Sequence, residues 1–474
     1  MSSYDVVVVG GGPSGLAAAA AASESGLRVA LVDASAQIGG QYWRRPSDQE
    51  GAKSPGATFE SLRRCLIDVD HHPEHQAWLF EPATGDHRLH LAPTHDSVRT
   101  EAPPVLRARS LILCPGAYDR QLPIPGWDLP GVMAAGGVQA LVKAHGSLPG
   151  RRAVVAGTGP FLLPVARQLA EAGAEVVVCD ANGLTGWLRT PLDALAVPSK
   201  MAEAASYAAA FARHRIPFRA RTIVAAIEGS EKVDSVRLRK VDRAGNPTGR
   251  GETINGVDLV ALGWGFTPSL ELVLAAGAAT RVDLDESLVA VVDAWQRTDV
   301  AGVYAAGEAT GVGGALLALA EGEIAGLAAA RDHGRPVDRR RAERLQRQVR
   351  RGRAFAAAMH RAHPVPAGWQ DWLEPDTTVC RCEEVTVQDI RDACQDLGAV
   401  DARTAKLLAR PGMGWCQGRV CGFASAKLTQ DNGKPLCGND LAPMSQRSIA
   451  MPVSLERLAS DDLTRMGPDE EGDG

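Results

Sequence analysis

At 474 residues the chain is too long for one core of ordinary size, and ~100–200 residues per domain implies two to four domains. Hydrophobic residues make up 45% and charged residues 23%, which excludes a disordered or fibrous chain. A net charge of −5 and a pI near 6.2 supply no basic field for nucleic acid or an anionic membrane, and no apolar run approaches the ~18 residues of a membrane-spanning helix.

The N-terminus lacks the basic lead of a signal peptide, so the expected location is the reducing cytoplasm, with peripheral contact to the inner membrane allowed. Nine cysteines, an odd number, fit a disulfide framework poorly. Clustered thiols in that compartment serve more often as metal ligands or in catalysis.

Patterning predicts a strand at 6–9, a glycine turn, an alanine-rich helix at 16–22 and a second strand at 29–33. Residues 50–110 predict a helix and an antiparallel β excursion. His71, His72 and His75 within it read as an exposed loop rather than a metal site. The opening pattern then returns as strand 153–156, turn 157–159, helix 162–172 and strand 175–180. Gly15 to Asp33 spans 18 positions, and so does Leu162 to Asp180. Alternation within 219–262 predicts strands, 233–238 and 257–262 among them. Between 335 and 361 ten arginines stand against two acids, which predicts an exposed connecting helix. A compact cysteine-containing segment follows at 377–430, and the acidic tail from Asp461 reads as disordered.

The first turn carries chemistry. Gly10-Gly11-Gly12-Pro13-Ser14-Gly15 follows a strand and opens a helix. Gly10 permits the tight turn, Gly12 lets backbone approach a pyrophosphate, and Gly15 lets helix and strand pack closely. The helix end offers free N–H groups to phosphate, and Asp33 is placed for ribose hydroxyls. The bland reading is a glycine turn in an unrelated α/β protein.

The second turn, Gly157-Thr158-Gly159-Pro160-Phe161-Leu162, keeps two glycines and has Leu162 at the third position. Its side chain is expected to push helix and strand apart. Asp180 favours a ribose 2′-hydroxyl over a 2′-phosphate. An NAD site, a site reduced to an adenine mononucleotide and a structural remnant all remain open.

Cys380-Arg381-Cys382 and Cys416-Gln-Gly-Arg419-Val-Cys421 are separated by 33 residues. Four thiolates in two pairs can close a tetrahedral zinc site or hold a [2Fe–2S] cluster, and softness alone does not decide. Arg381 and Arg419 could offset a cluster's negative charge. Cys394 and Cys437 lie outside the pairs. No Cys-x-x-Cys occurs in 1–330, which disfavours disulfide reduction.

Three further segments carry a resemblance. Leu111-Ile-Leu-Cys114-Pro-Gly116-Ala resembles the crossover of two-dinucleotide flavoproteins. Thr298 to Glu308 resembles their second FAD motif, and Gly39-Gly40-Gln41 their pyrophosphate-side segment. Residues 1–330 thus resemble the glutathione-reductase-like FAD fold, an α/β class. Gly412 to Gly422 resembles the small [2Fe–2S] module of bacterioferritin-associated ferredoxin.

The order of parts is similar to the FAD/iron–sulfur subunits of heteromeric amine, amino-acid and opine dehydrogenases. It implies an FAD domain at 1–128 and 265–335, a degenerate second nucleotide domain at 129–264, a helical linker at 336–376, a [2Fe–2S] domain at 377–430 and a tail at 431–474. FAD would meet Gly10, Gly12, Pro13, Ser14, Gly15, Asp33, Gly40, Gln41, Gly116, Gly307 and Glu308. Glu308 stands where the family usually has Asp, so its ribityl contact is less secure. Gly157, Gly159 and Asp180 would hold the second nucleotide. Cys380, Cys382, Cys416 and Cys421 would hold the cluster.

The resemblance further implies a partner flavoprotein of the D-amino-acid-oxidase fold that oxidises a C–N bond. It allows an FMN at the interface with that partner and a small extra ferredoxin-like subunit. It implies neither a nucleic-acid partner nor a transmembrane segment. The alternatives are a self-sufficient NAD(P)H-dependent FAD/iron–sulfur reductase and a non-redox zinc module. The substrate and the final electron acceptor are not legible.

Overall fold

The computed structural model describes residues 2–46, 56–95, 104–183, 186–187, 197–430, 435–447, 449–455 and 458. The tail expected to be disordered lies outside them. Asp70–His72, Val29–Val32, Ser2–Val9 and Val105–Leu113 lie side by side and parallel in the first sheet. His87–Pro93 and His75–Glu81 extend it antiparallel. Val303–Ala305 pairs with the far half of Val105–Leu113, so a late segment joins the opening sheet. The central strands are apolar on both faces, as a parallel sheet covered on two sides requires.

The chain leaves this sheet through Ala117–Asp119 and returns through Phe266–Pro268, which pair antiparallel. Between them stands a second sheet, all parallel, ordered Phe218–Ala220, Glu175–Asp180, Arg152–Gly157, Leu259–Gly263, Val132–Ala134. A meander of Thr222–Glu228, Ser235–Val241 and Pro247–Asn255 is attached to it.

Helix Pro13–Glu24 follows the first turn and is buried along most of its length because its interior is alanine. It packs against helix Ala315–Asp332 almost backbone to backbone. A Cβ at Gly322 would lie 1.9 Å from the Ser14 carbonyl oxygen, and one at Gly326 would lie 2.4 Å from that of Ala18. The arginine-rich stretch is a helix, Arg339–Ala362, but not a free one. Ala342, Leu345, Ala356, Ala358 and Ala362 are buried. The charge run hides an apolar stripe of mostly small residues.

Gly322→Val should destabilise the protein by ~3 kcal/mol or more, because the obstructing atom is backbone and cannot rotate away. Urea denaturation measures the loss. Arg339→Ala, at the exposed start of its helix, is the neutral control and should move the midpoint little.

Candidate functional site

The first turn is built as its glycines require. Gly10 has φ +103°, and a Cβ there would lie 2.1 Å from the Cys114 carbonyl oxygen. A Cβ at Gly15 would lie 1.7 Å from the Gly10 carbonyl oxygen, which is the close helix–strand approach. Gly12 is the N-cap of Pro13–Glu24; no side chain caps that helix end, and no protein atom lies within 4 Å of a Cβ built there. Gly40 packs on Gly12, where its Cβ would come within 2.9 Å of the Gly12 Cα. Gly307 packs on the Ser14 side chain at the same distance. The Gly39 N–H donates to the Gly11 carbonyl at 2.7 Å, and Gly116, at φ +77°, likewise has open space before it. Three distant segments therefore converge on one uncapped helix N-terminus. Gln41 is exposed, and its carbonyl accepts from Lys143 Nζ at 3.4 Å.

Asp33 is buried at the end of its strand. Its carboxylate accepts from the Gly11 N–H and from the Ser35 N–H at 2.6 Å, while burial pushes its pKa up. Glu308 is half-buried, and its carboxylate accepts from Gly313 and Gly314 N–H at 3.2 and 3.0 Å. Burial raises it to about 7. The acid thus holds the glycine turn that leads into helix Ala315–Asp332.

A buried ion pair beside the site escapes the sequence reading. Glu321 is 1% exposed and accepts from Gly307 N–H and from the Thr310 hydroxyl, both at 3.1 Å. Arg353 pairs with it at 2.6 Å and donates to the Gly311 carbonyl at 2.7 Å. An acid inside an otherwise apolar stretch of an alanine-rich helix is the available signal; its partner is one arginine among ten.

The second turn differs from the expectation. Leu162 does not force helix Leu162–Glu171 off its strand. It is buried with Ala135, Val138 and Val155, and Gly263 on the neighbouring strand makes room for it. Other groups crowd this unit. His363, past the end of Arg339–Ala362, lies 3.8 Å from Asp180 and 3.9 Å from a Cβ at Gly159. Trp187 donates to His363 Nε2 at 2.9 Å, and Asn182 donates to the Pro364 carbonyl at 2.8 Å. Burial pushes Asp180 up to about 7 and His363 down to about 4, so near neutrality the pair carries at most one charge.

The four cysteines of the two pairs are brought together. Cys380 ends strand Thr378–Cys380, Cys382 is in the following turn, and Cys421 immediately precedes helix Gly422–Leu428. Gly414 lets the two loops meet, since a Cβ there would lie 2.2 Å from the Cys382 Cβ. The thiols act on one another pairwise: Cys380 with Cys421, Cys421 with Cys416, and Cys416 with Cys382. Cys421 donates to both neighbours, which lowers Cys380 to about 6 and Cys416 to about 5 and pushes Cys421 up. The Gly412 N–H faces Cys380 Sγ at 3.5 Å. Among the described residues no group of three or more His, Cys, Asp or Glu is set to hold a metal ion. Arg381 and Arg419 lie over the rings of Trp127 and Tyr118. Cys114 and Cys179 are buried, and burial raises both to about 12, which suits inert packing. His71 and His72 lie on an edge strand, and no metal-holding group forms there among the described residues.

The model of the family described as pyridine nucleotide-disulphide oxidoreductase matches residues 4–334. The chain belongs to that family. It is an FAD-dependent oxidoreductase. It is 32% identical to an opine oxidase subunit of Agrobacterium tumefaciens (strain Ach5), over 96% of this chain and 91% of that one. It is 30% identical to hydrogen cyanide synthase subunit HcnB of Pseudomonas protegens, over 91% and 93%. Among solved structures, L-proline dehydrogenase from P. horikoshii matches with a TM-score of 0.67 at 19% identity, covering 96% of this chain and 79% of that one; this shows the fold. No helix among the described residues is long and apolar enough to cross a membrane.

The buried acid of the second unit makes stability depend on pH. The folded pKa of Asp180, about 7, stands above its ordinary 3.8, so its charging opposes folding as pH rises through that window. Asp180→Asn should therefore be more stable than the parent at pH 8, by ~2–4 kcal/mol at 1.36 kcal/mol per pKa unit. The advantage should vanish by pH 4. Urea midpoints at the two pH values check the sign.

Proposed function

We propose that this flavoprotein is the electron-transfer subunit of a heteromeric amino-acid or opine dehydrogenase. A partner flavoprotein of the D-amino-acid-oxidase fold oxidises the C–N bond, and this chain passes the electrons to an external acceptor. The supporting observation is the set of four interacting thiols, assembled from two loops separated by 33 residues, in a chain that matches an opine oxidase subunit over 96% of its length.

The residues fit FAD. The uncapped helix end at Gly12, with open space before it, accepts a pyrophosphate. Gly10, Pro13, Ser14 and Gly15 shape that end; Asp33 would hold the ribose, and Gly40, Gln41, Gly116, Gly307 and Glu308 would contact the rest of the cofactor. They also fit a [2Fe–2S] cluster on Cys380, Cys382, Cys416 and Cys421. All four thiols are free and two have lowered pKa values, which suits thiolate ligands. FAD would supply two-electron chemistry and the cluster single-electron steps, and the chain's own residues would hold both. An FMN at the partner interface and a small ferredoxin-like subunit belong to the same reading.

The second unit is not a nicotinamide site in this reading. A nucleotide at Gly157, Gly159 and Asp180 would have to displace His363. That observation disfavours a self-sufficient NAD(P)H reductase.

Anaerobically purified protein should contain iron and acid-labile sulfide in equal amounts, and Cys416→Ser should lose both while keeping its flavin. Stoichiometric zinc without sulfide would point to the zinc module instead.

The isolated chain should not reduce a dye with proline, hydroxyproline, an opine or glycine. Co-purified with the product of its neighbouring gene, it should do so with at least one of them. Substantial turnover by the chain alone would sink the relay.

A further inference from the structure

Each cysteine pair encloses an arginine, and both arginines reach the same stretch of the flavin domain. Arg419, between Cys416 and Cys421, donates through Nε to the Tyr118 hydroxyl at 2.9 Å and pairs with Glu271 at 2.9 Å. Its remaining nitrogens donate to the Ala450 carbonyl at 2.6 Å and the Cys416 carbonyl at 3.3 Å. Tyr118 bonds Ser269 at 3.1 Å, and Ser269 donates to Glu271 at 2.8 Å, which closes the network. Arg381, between Cys380 and Cys382, lies 3.9 Å over the Trp127 ring and donates to the Trp127 carbonyl. Trp127 in turn donates to the Thr378 carbonyl at 2.6 Å. From the other side, Arg120 lies 4.3 Å over Phe423, two residues past Cys421.

The stretch they grip begins two residues after Gly116, in the strand pair Ala117–Asp119 and Phe266–Pro268 that links the two sheets. The arginine–carboxylate pair is nearly dry: the Arg419 and Glu271 side chains are 11% and 6% exposed. Such a pair contributes little net stability, but it holds one geometry because every alternative leaves a buried charge unpaired.

We propose that Arg419 is a positioning residue that, through Tyr118 and Glu271, holds the Cys416–Cys421 loop against the flavin crossover segment, and that this contact sets electron transfer between the two centres. The proposal rests on the functional reading above. Each transfer moves one electron from reduced flavin to the oxidised cluster, and two transfers, with the cluster reoxidised by the acceptor between them, discharge the flavin. The flavin's protons leave to solvent. A planar fork bonded to a hydroxyl, a carboxylate and two carbonyls cannot be replaced by the point charge of lysine.

The test uses the full chain and its variants Tyr118→Phe and Arg419→Lys, with flavin, iron and sulfide contents measured first. Flavin is photoreduced, and cluster reduction is followed at a visible wavelength and by electron paramagnetic resonance. Both variants should keep their cofactor contents and slow the transfer roughly tenfold, equivalent to ~1.4 kcal/mol of barrier. The spectrum of the reduced cluster should also change. Arg419→Gln should lower the cluster's midpoint potential, because Glu271 is left uncompensated nearby, and Arg419→Gln/Glu271→Gln should restore it.

Backbone hydrogen exchange of residues 117–119 and 416–421, read in metal-free protein, should quicken in both single variants. This arm does not depend on the cluster. A parent protein without iron and sulfide would defeat the functional reading, while exchange would still decide the docking. Wild-type transfer rates, spectra and exchange in both variants would overturn the positioning role.

Discussion

The close approach of two helices governs how this molecule is assembled. Gly322 and Gly326 lie directly on the carbonyls of Ser14 and Ala18, closer than any side chain would allow. The contact fixes helix Ala315–Asp332 on helix Pro13–Glu24, and with it the position of Gly307 beside Ser14. An opening motif and one from far later in the chain thereby share a single helix end. Alanine along the first helix serves the same purpose: it removes the bulk that would otherwise hold the helices ~8–10 Å apart.

Charges inside this frame act as geometric pins. Glu321 is almost wholly buried, and burial alone would favour its protonated form. Arg353 opposes that, and the pair ties helix Arg339–Ala362 to Gly311 and Thr310. Such an ion pair gains little against its desolvation, but removing one partner is costly, at ~3–5 kcal/mol. Glu308 acts in the same region through backbone N–H groups. The segment resembling a second FAD motif is thus held by its own Glu308 and, from behind, by Glu321, whose partner Arg353 lies on another helix.

What can be read from sequence follows from range. The two strand–turn–helix–strand units, the cysteine pairs and the antiparallel excursion are local patterns, and each turn's glycines state their own conformational demand. The four cysteines are legible as a set because thiols are rare and their spacing is short. The Arg419–Tyr118 contact spans 301 positions and joins residue types common on any surface. Arg353 is hidden in a charge run whose average property, solvation, holds for most of its members. Leu162 defeats the sequence reading for a related reason. Its fit depends on Gly263 across the sheet, and no pattern around Leu162 itself reports that space.

The second unit has a structural part of its own, whatever its turn binds. Its strand, turn and helix remain intact, with Gly157 at φ +144° pressed against the Gly263 carbonyl. Its contacts now point toward the rest of the chain. Lys143 on helix Ala135–His145 donates to the carbonyls of Gln41 and Tyr42, beside the first turn, and Asp119 accepts from the Gly136 N–H at that helix's start. His363, Trp187 and Asn182 tie the end of the arginine-rich helix to the Asp180 side of the sheet. Loss of the domain would release the segment between Gly116 and Trp127, on which both cysteine-pair arginines rest. A domain with that duty is retained whether or not a nucleotide enters it, because the spacing between the flavin segment and the thiols depends on its sheet staying in place.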